Sequence, residues 1–123
     1  MYEIKKVRQN PGEAFRRWFT DDHFDLYVWY DDPSLGHIVG FQLCYDKDQH
    51  RRERAMTWHR GRGYHHTRVE DGEADPTANR SAVLKGDGQF PKETIIHSFR
   101  QAATALDPDL VSFIVGKLER YTG

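Results

Sequence analysis

Two runs of alternating side chains, residues 24–30 and 38–45, constrain this chain more than any other feature in it. In the first, Phe24, Leu26, Val28 and Tyr30 alternate with Asp25, Tyr27 and Trp29. In the second, Val39, Phe41, Leu43 and Tyr45 alternate with Ile38, Gly40, Gln42 and Cys44. A period of two sends successive side chains to opposite faces of a strand, so each run has an apolar face to bury. The intervening Asp31-Asp32-Pro33-Ser34-Leu35-Gly36 has the composition of a turn. Pairing Tyr30 with His37 sets Val28 against Val39, Leu26 against Phe41 and Phe24 against Leu43. One face of the hairpin is then wholly apolar, the condition that pins register in a half-buried sheet. The same register lays Tyr27 across Gly40, where a ring can cover bare backbone.

Other strands follow from the same logic. Arg54 to Arg60 and Gly63 to Val69 read as a second hairpin about Gly61-Arg62, a two-residue loop of the type that primed turns favour. The polar stretch Asp46 to Arg52 joins the two hairpins. Upstream, Ile4 to Val7 reads as a short first strand, broken by Asn10-Pro11-Gly12. Phe15 to Phe19 fits either a helical turn or a strand, and the turn-like Thr20-Asp21-Asp22-His23 after it favours a strand. Downstream, Glu70 to Pro76 ends the second hairpin, and Ser81 to Lys85 reads as a short edge strand closed by Gly86-Asp87-Gly88.

The C-terminal third has helical spacing. Pro91 suits a first helical position, and Ile95, Ile96, Phe99, Ala102, Ala103 and Leu106 share one stripe. Asp107-Pro108 reads as a stop and a restart, Asp capping a second helix that opens on Pro. Leu110, Val111, Ile114, Leu118 and Tyr121 form its apolar stripe, with Lys117 and Arg120 at its C-terminal end, where cations suit the helix dipole. The expected fold is α+β: an antiparallel β-meander of about five to six strands with two C-terminal helices packed on one face. It occupies one domain, residues 1–123, with 1–88 mainly sheet and 89–123 a helical hairpin or corner.

Composition supports a folded chain. Charged residues are 30% of the 123, yet the net charge is only −1, unlike the strongly charged composition of disorder. Aromatic residues are 13%, so rings supply much of the core. Cys44 is the only cysteine and sits in a strand run, which favours a packed small side chain over a nucleophile. Met1 to Lys6 lack the apolar core of a signal peptide, and no apolar run reaches the roughly 18 residues of a membrane span. A cytoplasmic protein with no membrane partner is the expectation.

Seven histidines are many for this length. With a two-residue loop at Gly61-Arg62, His59 faces Tyr64 and Thr57 faces His66. His59, Tyr64, His66 and Arg68 then share one face, and with Met56 and Trp58 turned to the core that face also carries Tyr27, Trp29, Gln42 and Cys44. Two imidazoles, a phenol and a guanidinium among aromatic walls can hold a ligand or move a proton. The plainer reading is a solvated sheet face with cross-strand pairs. His59 and His66 find no third ligand at a recognisable spacing, so neither a metal nor a cofactor is expected. Asp21-Asp22-His23, Asp31-Asp32 and Glu70-Asp71-Gly72-Glu73 read as charged turns. No motif marks a catalytic residue.

Residues 47–68 carry seven Lys and Arg against Asp48 and Glu53, interleaved with Trp58, Tyr64 and His65, a pattern that can grip a single nucleic-acid strand. The first expectation is nevertheless a non-catalytic binding domain. Its open sheet face, with Tyr27, Trp29, Gln42, His59, Tyr64, His66 and Arg68, would hold a protein partner or a second copy. A small-molecule site on that face, with His59 or His66 as acid–base group, is the alternative. Nucleic-acid binding ranks third.

Overall fold

The computed structural model describes residues 1–49, 52–68 and 90–122. The architecture is α+β, with six antiparallel strands side by side in chain order and two helices at the C-terminus. The strands are β1 Tyr2–Glu3, β2 Phe15–Thr20, β3 Asp25–Tyr30, β4 Ile38–Tyr45, β5 Arg54–His59 and β6 Gly63–Arg68; the helices are α1 Lys92–Ala102 and α2 Pro108–Arg120. The expected readings of residues 70–89 lie outside the described residues.

Phe15 to Phe19 is strand, within β2. The first strand is not at Ile4–Val7 but at Tyr2 and Glu3, which pair with Thr20 and Phe19. After Ile4 N–H donates to the Trp18 carbonyl at 2.9 Å, a side chain takes over the edge of β2. Gln9 accepts from Arg16 N–H at 2.9 Å and donates to the Arg16 carbonyl at 2.8 Å, occupying backbone groups that a longer first strand would have used.

The first hairpin keeps its expected faces with different partners. Leu26 lies opposite Leu43, Val28 opposite Phe41 and Trp29 opposite Gly40, with a bulge between Trp29 and Tyr30, so that Tyr30 meets Ile38. The turn holds one residue more than expected, His37, tied to Asp31 by both its backbone and its ring. The bulge adds a second displacement. Two single-residue shifts restore parity from Gly40 onward, so Gly40 to Tyr45 stay on their expected faces, whereas Ile38, expected on the open face, lies opposite Tyr30 and packs against the core. The ring opposite Gly40 is Trp29, not Tyr27.

The second hairpin has a single shift and therefore flips a strand. Its loop is Arg60-Gly61-Arg62, three residues rather than two, with His59 opposite Gly63, Trp58 opposite Tyr64 and Met56 opposite His66. Gly61 and Gly63 have φ of 91° and 77°, the left-handed region where glycine is tolerated best. Burial explains the outcome: Tyr64 and His66 turn inward with Trp58 and Met56, and His65 and Thr67 turn outward. A two-residue loop would have pointed His65 and Thr67 at the core.

The helices cover one face. Phe19, Leu26, Val28, Phe41, Leu43 and Met56 from the sheet meet Ile95, Phe99, Ala103, Leu106, Leu110, Ile114, Val115 and Leu118 in one core. Burying each large side chain is worth about 1.5–3 kcal/mol. α1 begins at Lys92, one residue after Pro91, and ends at Ala102. α2 starts as the sequence indicates: Asp107 accepts from Asp109 N–H at 3.1 Å and Pro108 opens the helix. At the sheet margin Arg17 makes two bonds to Glu3, at 2.8 and 2.9 Å, and lies over the Phe19 ring at 4.8 Å. The hydrogen bond from Arg17 holds the Glu3 carboxyl below its ordinary value.

Candidate functional site on the open sheet face

The face away from the helices is assembled by register alone. Its middle row runs Trp18, Tyr27, Gln42, Thr57, His65 across β2 to β6; the row nearer the 60–62 turn runs Arg16, Trp29, Gly40, His59, Gly63. The third row, Thr20, Asp25, Cys44, Ala55, Thr67, lies toward the 21–24 turn and the 46–53 loop.

Three half-buried rings form a ladder on this face. Trp18 stacks on Tyr27 with centroids 5.7 Å apart and planes within 15°, and Tyr27 lies 6.2 Å from Trp29 at 29°. The Arg16 guanidinium extends the series, 6.0 Å from the Tyr27 centroid. None of the three rings belongs to the core cluster. Burial, with the charge of Asp25 second, raises the Tyr27 phenol above its ordinary value. Trp18 escaped the sequence reading because FRRWF was weighed only as helix or strand; taking it as strand already places Trp18 opposite Phe15 and Phe19, on its own face.

A polar tie fixes one end of the ladder. Asp25 Oδ1 accepts from Trp18 Nε1 at 3.0 Å, Thr20 Oγ1 at 2.7 Å and Lys47 Nζ at 3.3 Å, and Lys47 also donates to Thr20 Oγ1 at 2.9 Å. A hydroxyl beside a lysine resembles a nucleophile with its base. Here Lys47 donates rather than accepts, the hydroxyl is spent on Asp25, and Thr20 is buried. The arrangement orients Trp18. Lys47 thereby reaches over the third row, where Cys44 and Ala55 are buried. Desolvation pushes the Cys44 thiol up to about 12, which leaves it unreactive as a thiolate near neutrality.

The seven residues singled out from sequence divide between the faces. Tyr27, Trp29, Gln42 and His59 are on the open face. A side chain at Gly40, beside His59, would be a tight fit: a methyl there would sit 3.0 Å from the Trp58 carbonyl and 3.3 Å from His59 Cδ2. His59 Nδ1 is shielded and has no hydrogen-bond partner among the described residues. Tyr64, His66 and Arg68 belong to the helix-side face, a correction that follows from the flip of β6. Tyr64 donates to the Lys117 carbonyl of α2 at 2.7 Å. His66 is buried, its Nε2 2.6 Å from Tyr45 Oη, with Phe90 edge-on at 5.4 Å. Arg68 lies opposite Arg54 and is exposed.

With His59 and His66 on opposite faces, the two histidines cannot share a metal, and no group of three metal-ligating side chains occurs among the described residues. The basic segment is likewise dispersed: Arg54 and Arg68 lie on the helix side, Arg60 and Arg62 at one end of the sheet, and Arg52 in the loop at the other. A groove of about 430 Å³ lies on the helices, lined by Lys92, Glu93, Ile96, His97, Arg100 and Glu119. Its cations are engaged: Lys92 Nζ donates to the Glu119 and Tyr121 carbonyls and Arg100 pairs with Glu119. No described helix is long and apolar enough to cross a membrane.

No family model matches the chain, and neither curated proteins nor solved structures give a match.

Proposed function

We propose that this chain is a non-catalytic binding domain that presents the Trp18–Tyr27–Trp29 ladder, flanked by Arg16, Gln42 and His59, to a protein partner. The observation that carries the reading is the ladder itself: three large rings outside the core cluster, Trp18 beside Tyr27 across the strands and Trp29 two residues on in β3, held by register and by the Asp25 tie. Trp, Tyr and Arg are the residues that interface centres favour, because they bring large area with little rotamer freedom to lose.

The stacking also weighs against other occupants. Bases grip a protein by lying on exposed ring faces. Here each ring already stacks on a ring neighbour, and the Trp18 Nε1–H is held by Asp25. That leaves less ring face for a base and favours a packed protein surface. Acid–base chemistry has less support: among the described residues no carboxylate orients His59, and Thr20 is buried.

The test is site-specific photo-cross-linking in living cells, with a photoreactive phenylalanine analogue at position 29 and, as a control, at exposed position 97 in the helix groove. The proposal expects discrete protein adducts from position 29 and none from 97. Adducts from 97 alone, or from neither position, would count against it.

A further inference from the structure

We propose that Gln9 is a plug: its side-chain amide stands in for a peptide group and closes the edge of β2 against strand addition by a second copy of this chain. The proposal goes beyond the reading of the open face and does not depend on it.

The argument starts from the backbone of β2. An antiparallel strand turns the N–H and C=O of every second residue to the same side. The residues of β2 that turn away from β3 are Thr20, Trp18 and Arg16. Thr20 lies opposite Tyr2, and the Trp18 carbonyl accepts from Ile4 N–H at 2.9 Å. At Arg16 one side chain takes both groups: Gln9 Oε1 accepts from the N–H at 2.9 Å and Gln9 Nε2 donates to the carbonyl at 2.8 Å. A primary amide carries a donor and an acceptor on one planar group, as a peptide does. These are the two bonds that a residue of a neighbouring strand would make.

The chain on either side of Gln9 is fastened. The Arg16 guanidinium donates to the Arg8 carbonyl at 2.7 Å. On the other side Glu13 N–H donates to the Asn10 carbonyl at 3.1 Å, and Asn10 Nδ2 donates to the Glu13 carboxylate at 3.0 Å. Other features of this edge act in the same sense. β1 is only two residues long, Lys5, Lys6 and Arg8 are exposed along the segment, and Pro11 has no N–H to offer. Short edge strands, exposed cations and proline all discourage edge pairing. Charge only repels an incoming strand, however, whereas Gln9 satisfies the groups that would attract one. β2 needs such closure, because Phe15, Trp18 and Phe19 make it rich in residues that favour strands.

The experiment compares the wild type with Gln9→Ala by hydrogen exchange of assigned amides and by sedimentation equilibrium up to millimolar concentration. It is run in about 0.5 M salt, which screens the Lys and Arg of the edge. The Arg16 amide should be protected in the wild type. In dilute Gln9→Ala it should exchange about tenfold faster or more, as the loss of its hydrogen bond requires, while the amides of β3 stay as in the wild type. As concentration rises the variant should associate about tenfold more tightly than the wild type and regain protection at Arg16, because the second copy now supplies the missing bonds. A fast Arg16 amide in the wild type would overturn the plug. So would a variant that associates no better than the wild type, or one that associates while Arg16 stays open to exchange. Loss of protection across β3 would also overturn it, since a plug at the margin carries none of the core.

Discussion

The two faces of this sheet draw on the same residue classes and put them to different uses. On the helix side rings are spent on cohesion: Phe24 meets Phe99 edge to face at 6.2 Å, Trp58 meets Phe113 at 5.6 Å, and Phe90 bridges Tyr45, His66 and Tyr121. Polar tips there are satisfied inside the chain, as Tyr64 is by Lys117. On the open side the rings lean on one another, and no helix residue enters the contact. On the reading proposed above, an aromatic side chain contributes to stability or to recognition according to its parity along the strand. A one-residue change of register exchanges the two roles.

That contrast orders the expected effects. Phe41→Ala, a ring with no solvent exposure beneath the helices, should cost about 3–5 kcal/mol in urea unfolding. Tyr45→Phe removes the hydroxyl that meets His66 and should cost about 1–3 kcal/mol, since it leaves a buried imidazole nitrogen without that bond. Asp107→Ala, which removes the cap of α2 on the helix side, should cost about 1 kcal/mol. Glu3→Gln tests the margin through pH. The Glu3 carboxyl is held below 4.5 when folded, so its contribution is present above that value and is lost as pH falls through the depressed one. The variant should show a shallower loss of stability in acid. On the open face, Cys44 should resist thiol reagents at pH 8 until the protein unfolds; rapid labelling of the native protein would mean that the row under Lys47 is not closed.

Legibility followed parity. The first hairpin was legible because its apolar residues recur at every second position, and the two displacements in it cancelled. The helices were legible from the stripe and from Asp107-Pro108. The second hairpin was not, because His, Thr and Tyr at 64–67 give a weak apolar contrast and Gly61-Arg62 also fits a two-residue loop. Gly63 was the available clue: glycine is a poor strand residue, and here it takes a positive φ at the strand entrance. From that one residue followed the misplacement of Tyr64, His66 and Arg68. Trp18 was missed although the strand reading of its segment already put it on the face of Tyr27.

The central claim is that the Trp18–Tyr27–Trp29 ladder serves recognition and not cohesion. Its most direct test measures stability and association on the same Trp29→Ala protein, by urea unfolding and by the cross-linking assay with the photoreactive residue moved to exposed position 65 on the same face. The account predicts unfolding within about 1–1.5 kcal/mol of wild type, the worth of one aromatic pair, together with loss of association. A loss of several kcal/mol, or an unchanged stability with association intact, would contradict it.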